Sequence, residues 1–448
     1  MKRKILYITH EVIPGLGLAV GGGGLRTWGL MKGLEAHGHQ VIYSLHEDVL
    51  KRLPNPSEEI RQNAHRQENL NNFIQMIQPD VVLFQQWPSA CTLDAIDIPV
   101  VMDLHGSLLI ENSYRQLGDF RTNVLTKLRT LENVDYFVCA GDRQKYYWWA
   151  WLMLAGVDPK DIRIDTVPVS LSSDLPQFKK NPEQPRFVFG GVAWPWQDPS
   201  LALNTVAETL NKYKKGQLDL YIGKHPTVQI TGEKYNDLRD SLRAGERVIF
   251  HDMIPHDELI QLYTQSAVAV DIMRKNTERE LAFTTRTIEY LWCGLPVIYG
   301  DYLELAQPIR EYKAGWVVNP NDKDGIRKVT EQILEHPEIV EEYGKNAQQL
   351  VRDKFTWEKA ITPLSDFMEE PTRREHNPSF LKQASEHIRH LEAEMGAYKW
   401  LQGEHQRVRA EFEQAIRDRD AAQADLKAIR SKFMFRAFKS AKRLLRLE

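Results

Sequence analysis

Short apolar runs and longer segments of helical spacing alternate twice along this chain. In the first series, Ile5–Thr9, Gln40–Leu45, Asp80–Phe84, Val100–Asp103 and Tyr136–Cys139 read as buried strands. Leu25–His37, closed by Gly38, reads as the first helix between them. The pattern pauses at Pro176–Pro185, a stretch containing Pro, Lys and Asn that reads as a linker. It then restarts with Arg186–Gly190, Leu218–Gly223, Arg247–His251, Ala267–Ile272, Pro296–Tyr299 and Gly315–Val318. Strands that are apolar throughout, separated by helices, predict parallel sheets covered on both faces. Two α/β domains are therefore expected, at 1–175 and 186–353, with ligands at the carboxyl ends of their strands.

The pattern changes again at Ser379. Leu381, Ala384, Ile388, Leu391, Met395 and Tyr398 fall three and four apart, and Leu401, Val408, Phe412, Ala415, Ala422, Leu426, Ile429 and Phe433 continue in a shifted register. This 3.5-residue period predicts a coiled coil over 379–431, with a stammer-like break, and hence a homo-oligomer. The last turns, 432–448, read as a different, amphipathic helix. Met434, Ala437, Phe438, Ala441, Leu444 and Leu445 share one face, while Lys432, Arg436, Lys439, Arg443 and Arg446 share the other. Such a helix suits an anionic membrane surface and a partner protein equally.

Composition narrows the class. With 448 residues, 42% hydrophobic and 27% charged, the chain suits two globular domains plus an appendage. A net charge of −3 gives no reason to expect nucleic acid. Cys91, Cys139 and Cys293 stand in apolar segments without metal-ligand spacing, which fits reduced thiols in a cytoplasmic compartment. The apolar run behind the basic start is too short for a signal-peptide core. Tyr146–Val157 reads as a buried helix, although its aromatics at Tyr146–Trp149 also suit a membrane interface.

The chemistry concentrates in Glu280-Leu-Ala-Phe-Thr-Thr-Arg-Thr-Ile-Glu289 and the following Tyr290-Leu-Trp-Cys-Gly-Leu-Pro-Val297. Two carboxylates and Arg286 stand around a helix start, an arrangement suited to a ligand bearing both hydroxyls and phosphates. This segment resembles the signature of the retaining glycosyltransferases of family four, which have the GT-B fold of two facing Rossmann-like domains. Glu289-Tyr-Leu-Trp-Cys-Gly-Leu-Pro-Val297 fits the second half of that signature residue for residue. The first half departs, because Leu281 occupies the place of the first acid. Glu280 is the candidate for it, with Glu278 second. The segment Phe355–Phe367 resembles the family's closing helix, expected at 354–370 and returning to the first domain.

Further candidates follow from the resemblance. Gly21–Gly24 stand where the family's glycine pair meets the donor's diphosphate and sugar, which makes Gly22, Gly23 and Gly24 donor contacts. His105, in Asp103-Leu-His105-Gly106, stands where the family places a histidine near the transferred sugar. Lys224 falls in the nucleotide loop. The family's Arg and Lys clamp is missing, since the chain reads Gly190-Gly-Val-Ala-Trp-Pro-Trp-Gln197. A leaving diphosphate still needs charge neutralisation. Arg286 is the first replacement, with Arg274 near it. Trp194 and Trp196 stand ready to stack on a base or sugar or to pack in the core.

The resemblance implies a retaining transfer from a nucleotide-sugar donor to a glycan acceptor, by front-side attack with the leaving phosphate as base. No cofactor and no metal are expected. Leu291-Trp-Cys-Gly294 looks most like bacterial enzymes of O-antigen or capsule synthesis. Their lipid-linked acceptors would place the protein on the inner face of the membrane. A nucleotide-sugar epimerase of the same fold and a non-catalytic coiled-coil scaffold for partner transferases are the rival readings.

Overall fold

The computed structural model describes residues 2–192, 194–223, 233–242, 246–252, 254–375 and 380–444. Lys224, Ser379 and residues 445–448 lie outside them. The described residues divide into two units, Met1–Leu381 and Lys382–Glu448.

The first unit contains two six-stranded, fully parallel sheets. Strands β1 (Lys4–Thr9), β2 (Gln40–Leu45), β3 (Val81–Gln85), β4 (Val100–Asp103), β5 (Tyr136–Cys139) and β6 (Ile164–Thr166) form one sheet, in the order β2-β1-β3-β4-β5-β6. Strands β7 (Arg186–Val192), β8 (Gln217–Gly223), β9 (Val248–His251), β10 (Val268–Asp271), β11 (Val297–Gly300) and β12 (Gly315–Val318) form the other, in the order β12-β11-β10-β7-β8-β9. Three-residue β6 is the strand that the apolar pattern did not announce.

Strands β1, β3, β4, β5, β10 and β11 bury both faces, whereas β9, at the edge of its sheet, has no buried residue. Leu6 and Ile8 enter one core and Ile5 and Tyr7 another, on the opposite face of the same sheet. Phe187 and Phe189 are likewise separated from Val188. In both sheets the chain winds outwards in two directions from one point, between β1 and β3 and between β7 and β10. Crevices outside the carboxyl ends of strands at such points are where doubly wound folds bind ligands.

Phe355–Phe367, expected as one helix, is two: Trp357–Ala360 and Thr362–Glu369. Pro363 lacks the amide that would have bonded Lys359, whose carbonyl accepts the Thr362 hydroxyl instead, at 3.1 Å. The pair packs on the first sheet. Ile361, Leu364 and Met368 enter its core, and Phe367 stacks on Tyr136 at 4.0 Å.

The described part of the second unit is helical throughout, within a single helix, Phe380–Leu444, of 65 residues. The expectation of a separate helix from 432 is therefore corrected. A change in which face is apolar does not break a helix, and no proline interrupts this one. Tyr398, Phe412, Leu426 and Phe433 are all exposed along it.

Candidate active site

Two helix starts meet where the sheets face each other. One belongs to Gly22–Ala36, which begins inside the glycine run, three residues earlier than expected. Its first amides have no carbonyl four residues back, its cap Gly21 offers no side-chain bond, and no acid stands in its first turn. The second, Thr285–Trp292, also begins without a side-chain cap or an acid. A Cβ added at Gly22 would stand 3.2 Å from Thr285 Oγ1, so the two starts are in contact. Both present partial positive charge to a cleft of about 480 Å³.

The glycines differ in purpose. Gly22 and Gly23 line the cleft, and a Cβ at Gly23 would meet the Glu11 carboxyl at 2.6 Å. Gly24 does not line it; a Cβ there would fall 2.0 Å from the Val12 carbonyl oxygen, so this residue serves close packing.

The first domain's wall holds one arginine in a buried ion pair. Arg26 and Asp103 are both buried and lie 2.7 Å apart. Arg26 also donates to the Val167 carbonyl at 2.7 Å. Burial pushes Asp103 up, but Arg26 and His105 outweigh it and hold the carboxyl at about 2. His105 lines the cleft with Nδ1 3.0 Å from Asp103 Oδ2. His10, also at the wall, stacks on His46 at 4.6 Å, and burial lowers it to about 4, which leaves it neutral near pH 7.

The second domain's wall is different. Arg286, the second residue of its helix, donates to the Gly190 carbonyl at 2.9 Å and to Gln197 Oε1. Both partners are neutral, so the guanidinium keeps its charge. Glu289 is buried and bonded to His256, Nε2 to Oε1, at 2.5 Å. Burial pulls His256 down, but its bond to the Glu289 carboxylate prevails and raises it above its ordinary value. Glu278 is buried against Arg279, whose Nη2 donates at 2.8 Å.

Residues 173–350 match the family described as glycosyl transferases group 1. That match spans the second domain, which is thus similar to the group 1 glycosyltransferases. A D-inositol 3-phosphate glycosyltransferase of Corynebacterium efficiens is 27% identical over 188 residues, 42% of this chain and 43% of that protein. One from Corynebacterium diphtheriae is 22% identical over 291 residues, 60% of this chain and 65% of that protein. The chain thus spans less than two thirds of the length of these curated relatives. Sucrose-phosphate synthase from Thermosynechococcus elongatus superimposes with a TM-score of 0.62 at 18% identity, covering 82% of this chain and 99% of that one. Anabaena HepE in complex with UDP-glucose does so with a TM-score of 0.60 at 12% identity, over 82% and 99%. The fold is GT-B.

Across this cleft the structure redistributes the candidates. Arg286 and Glu289 line the cleft, as do Gly22, Gly23 and His105 from the first domain. Glu280 does not. It is half exposed and pairs with Lys275 at 2.7 Å, because the short helix Thr277–Leu281 turns Glu278 and Arg279 inwards and Glu280 outwards. Glu278, the second-choice acid, is the one in the cleft. Arg274 is exposed, 3.7 Å from Asp198, and also lies outside. Glu11, Glu111, Arg115 and His256 are site-region residues that no motif marked. Glu11 alone had a signal, since it follows the carboxyl end of β1. Trp196 is buried and Trp194 stacks on it at 4.8 Å. Among the described residues, no group of three or more His, Cys, Asp and Glu could hold a metal ion.

Proposed function

We propose that the chain is a glycosyltransferase that moves a sugar from a nucleotide-sugar donor to a glycan acceptor with retention of anomeric configuration. One observation carries this reading. Two uncapped helix starts from opposite domains touch at the cleft, and an arginine at one of them is held only by neutral oxygens. That combination attracts a dianionic leaving group as its glycosidic bond breaks. In this reading Glu289, oriented by His256, takes the ribose, and Glu278 takes the role first given to Glu280 at the transferred sugar. His105, fixed by Asp103, bonds a sugar hydroxyl. No protein-bound metal is invoked.

The acceptor we favour is a lipid-linked glycan of bacterial surface polysaccharide synthesis, of the O-antigen or capsule kind, at the inner face of the membrane. The support is the Leu291–Gly294 sequence and the basic, apolar-faced end of the long helix. Among the described residues no helix is long and apolar enough to cross a membrane, so the attachment would be peripheral. The exposed apolar seam of Phe380–Leu444 fits self-association as a coiled coil.

The test is transfer of a labelled sugar from a panel of nucleotide-sugars to extracted glycolipids, with the product's anomeric configuration read by NMR. Retention is expected. An inverted product would remove the retaining mechanism, and activity without any acceptor would favour the epimerase. Absence of both binding and turnover across the panel would favour the scaffold. Co-sedimentation with anionic vesicles should fall when 432–448 are removed, and equal recovery would count against attachment there.

A further inference from the structure

The loop after β7 is where the resembling family carries two cations, and here Val192–Gln197 carries none. The cleft is nevertheless not short of guanidiniums. Arg26, Arg115, Arg279 and Arg286 line it. Two are spent, Arg26 on Asp103 and Arg279 on Glu278, both within buried pairs. Arg286 and Arg115 are not, and they flank the same loop. Arg286 reaches it from the second domain by donating to Gln197. Arg115 reaches it from the first, as the last residue of the helix Leu108–Arg115, with its guanidinium carbon 5.5 Å from the Trp194 ring centroid.

Arg115 has no carboxylate within ion-pair distance among the described residues. Its Nε is buried without a hydrogen-bond partner. Burial lowers its affinity for the proton, and Glu111, one turn earlier, opposes that only in part. Glu111 is itself pushed up to about 7, by burial first and by Glu278 next, so its countercharge is incomplete near neutrality. A guanidinium held over an indole ring by cation–π attraction does not spend its N–H donors on that contact. A planar donor fork with unspent hydrogens in a cleft suits phosphate oxygens.

We propose that Arg115 is the second cation of the diphosphate site, supplied across the cleft by the first domain in place of the clamp missing from the β7 loop. This rests on the reading of the cleft as a nucleotide-sugar site. The two cations then belong to different domains, so a bound diphosphate bridges the halves and its departure releases them. Trp194 acts as the platform that holds the Arg115 plane in register.

The test is calorimetric binding of UDP, GDP and ADP, each beside its nucleoside, to the full chain. For the diphosphate that wild type binds, Arg115→Ala should weaken affinity about ten- to a hundredfold, the scale of a lost charge-assisted bond, while nucleoside affinity stays within about twofold. Arg115→Lys should recover part of the loss and Arg115→Gln none. The two variants carry the test if the alanine form does not fold by circular dichroism. Unchanged diphosphate affinity, or equal losses for diphosphate and nucleoside, would overturn the role of Arg115 and reduce it to a packing contact. If wild type binds none of the diphosphates, the reading of the cleft itself falls, and the proposal with it.

Discussion

Arg26 and Arg286, on opposite walls of the cleft, are used in opposite ways. Arg26 is buried against Asp103 and also donates to the Val167 carbonyl. Arg286 is held by a carbonyl and an amide oxygen and keeps its net charge. The same side chain is thus structural at position 26 and available to a ligand at position 286. The nearest oxygen's charge decides which, and neither burial nor position in the cleft does.

Breaking the closed pair should have the largest effect on the fold. Asp103→Asn leaves Arg26 buried without a countercharge, and should cost about 3–5 kcal/mol of stability in urea titrations. A loss under about 1 kcal/mol would show that Arg26 finds another partner. The same pair is acid-sensitive. Asp103 is held at about 2, below its unfolded value near 3.9, so its contribution is full above that value. It is lost as pH falls towards about 2.

Arg286→Ala should show the opposite profile. Stability should change by less than about 1 kcal/mol, while turnover falls on the order of a hundredfold or more, as for a lost transition-state donor. Comparable losses in both would mean that Arg286 is structural after all. A smaller effect is expected at His256. Its proton affinity is raised in the fold, so its stabilising charge is fully present below the unfolded value of about 6.5 and lost as pH rises past the folded one. Melting temperatures recorded from acid to alkaline pH should therefore flatten over that window in His256→Gln. Smallest of all is Glu280→Ala, an exposed pair worth about 0–1 kcal/mol, with transfer rates near those of wild type. A severe loss of transfer there would return the first-acid role to Glu280.

What could be foreseen tracks the range of the interactions. Strands such as Val100–Asp103 and Gly315–Val318 were legible because a buried parallel strand is apolar on both faces. Three-residue β6 was not, since Ile164-Asp-Thr166 is too short and too polar to register. The motif through Glu289 located the cleft. The choice between Glu278 and Glu280, however, depended on the phase of a five-residue helix, which residue counting does not supply. Gly22–Gly24 read as a loop because glycine is a poor helix former, yet tertiary packing recruits them into the first turn. Arg115 was beyond reach, because its partner Trp194 is distant in sequence and belongs to the other domain.

The touching helix starts also offer a means of control. A Cβ at position 22 would stand 3.5 Å from that of Thr285, at the near limit of disulfide geometry. Cysteines at both sites would staple the halves under oxidation. Under the proposed function, exchange of a nucleotide ligand should then slow and recover with reductant, separating the opening of the cleft from bond chemistry in a single preparation.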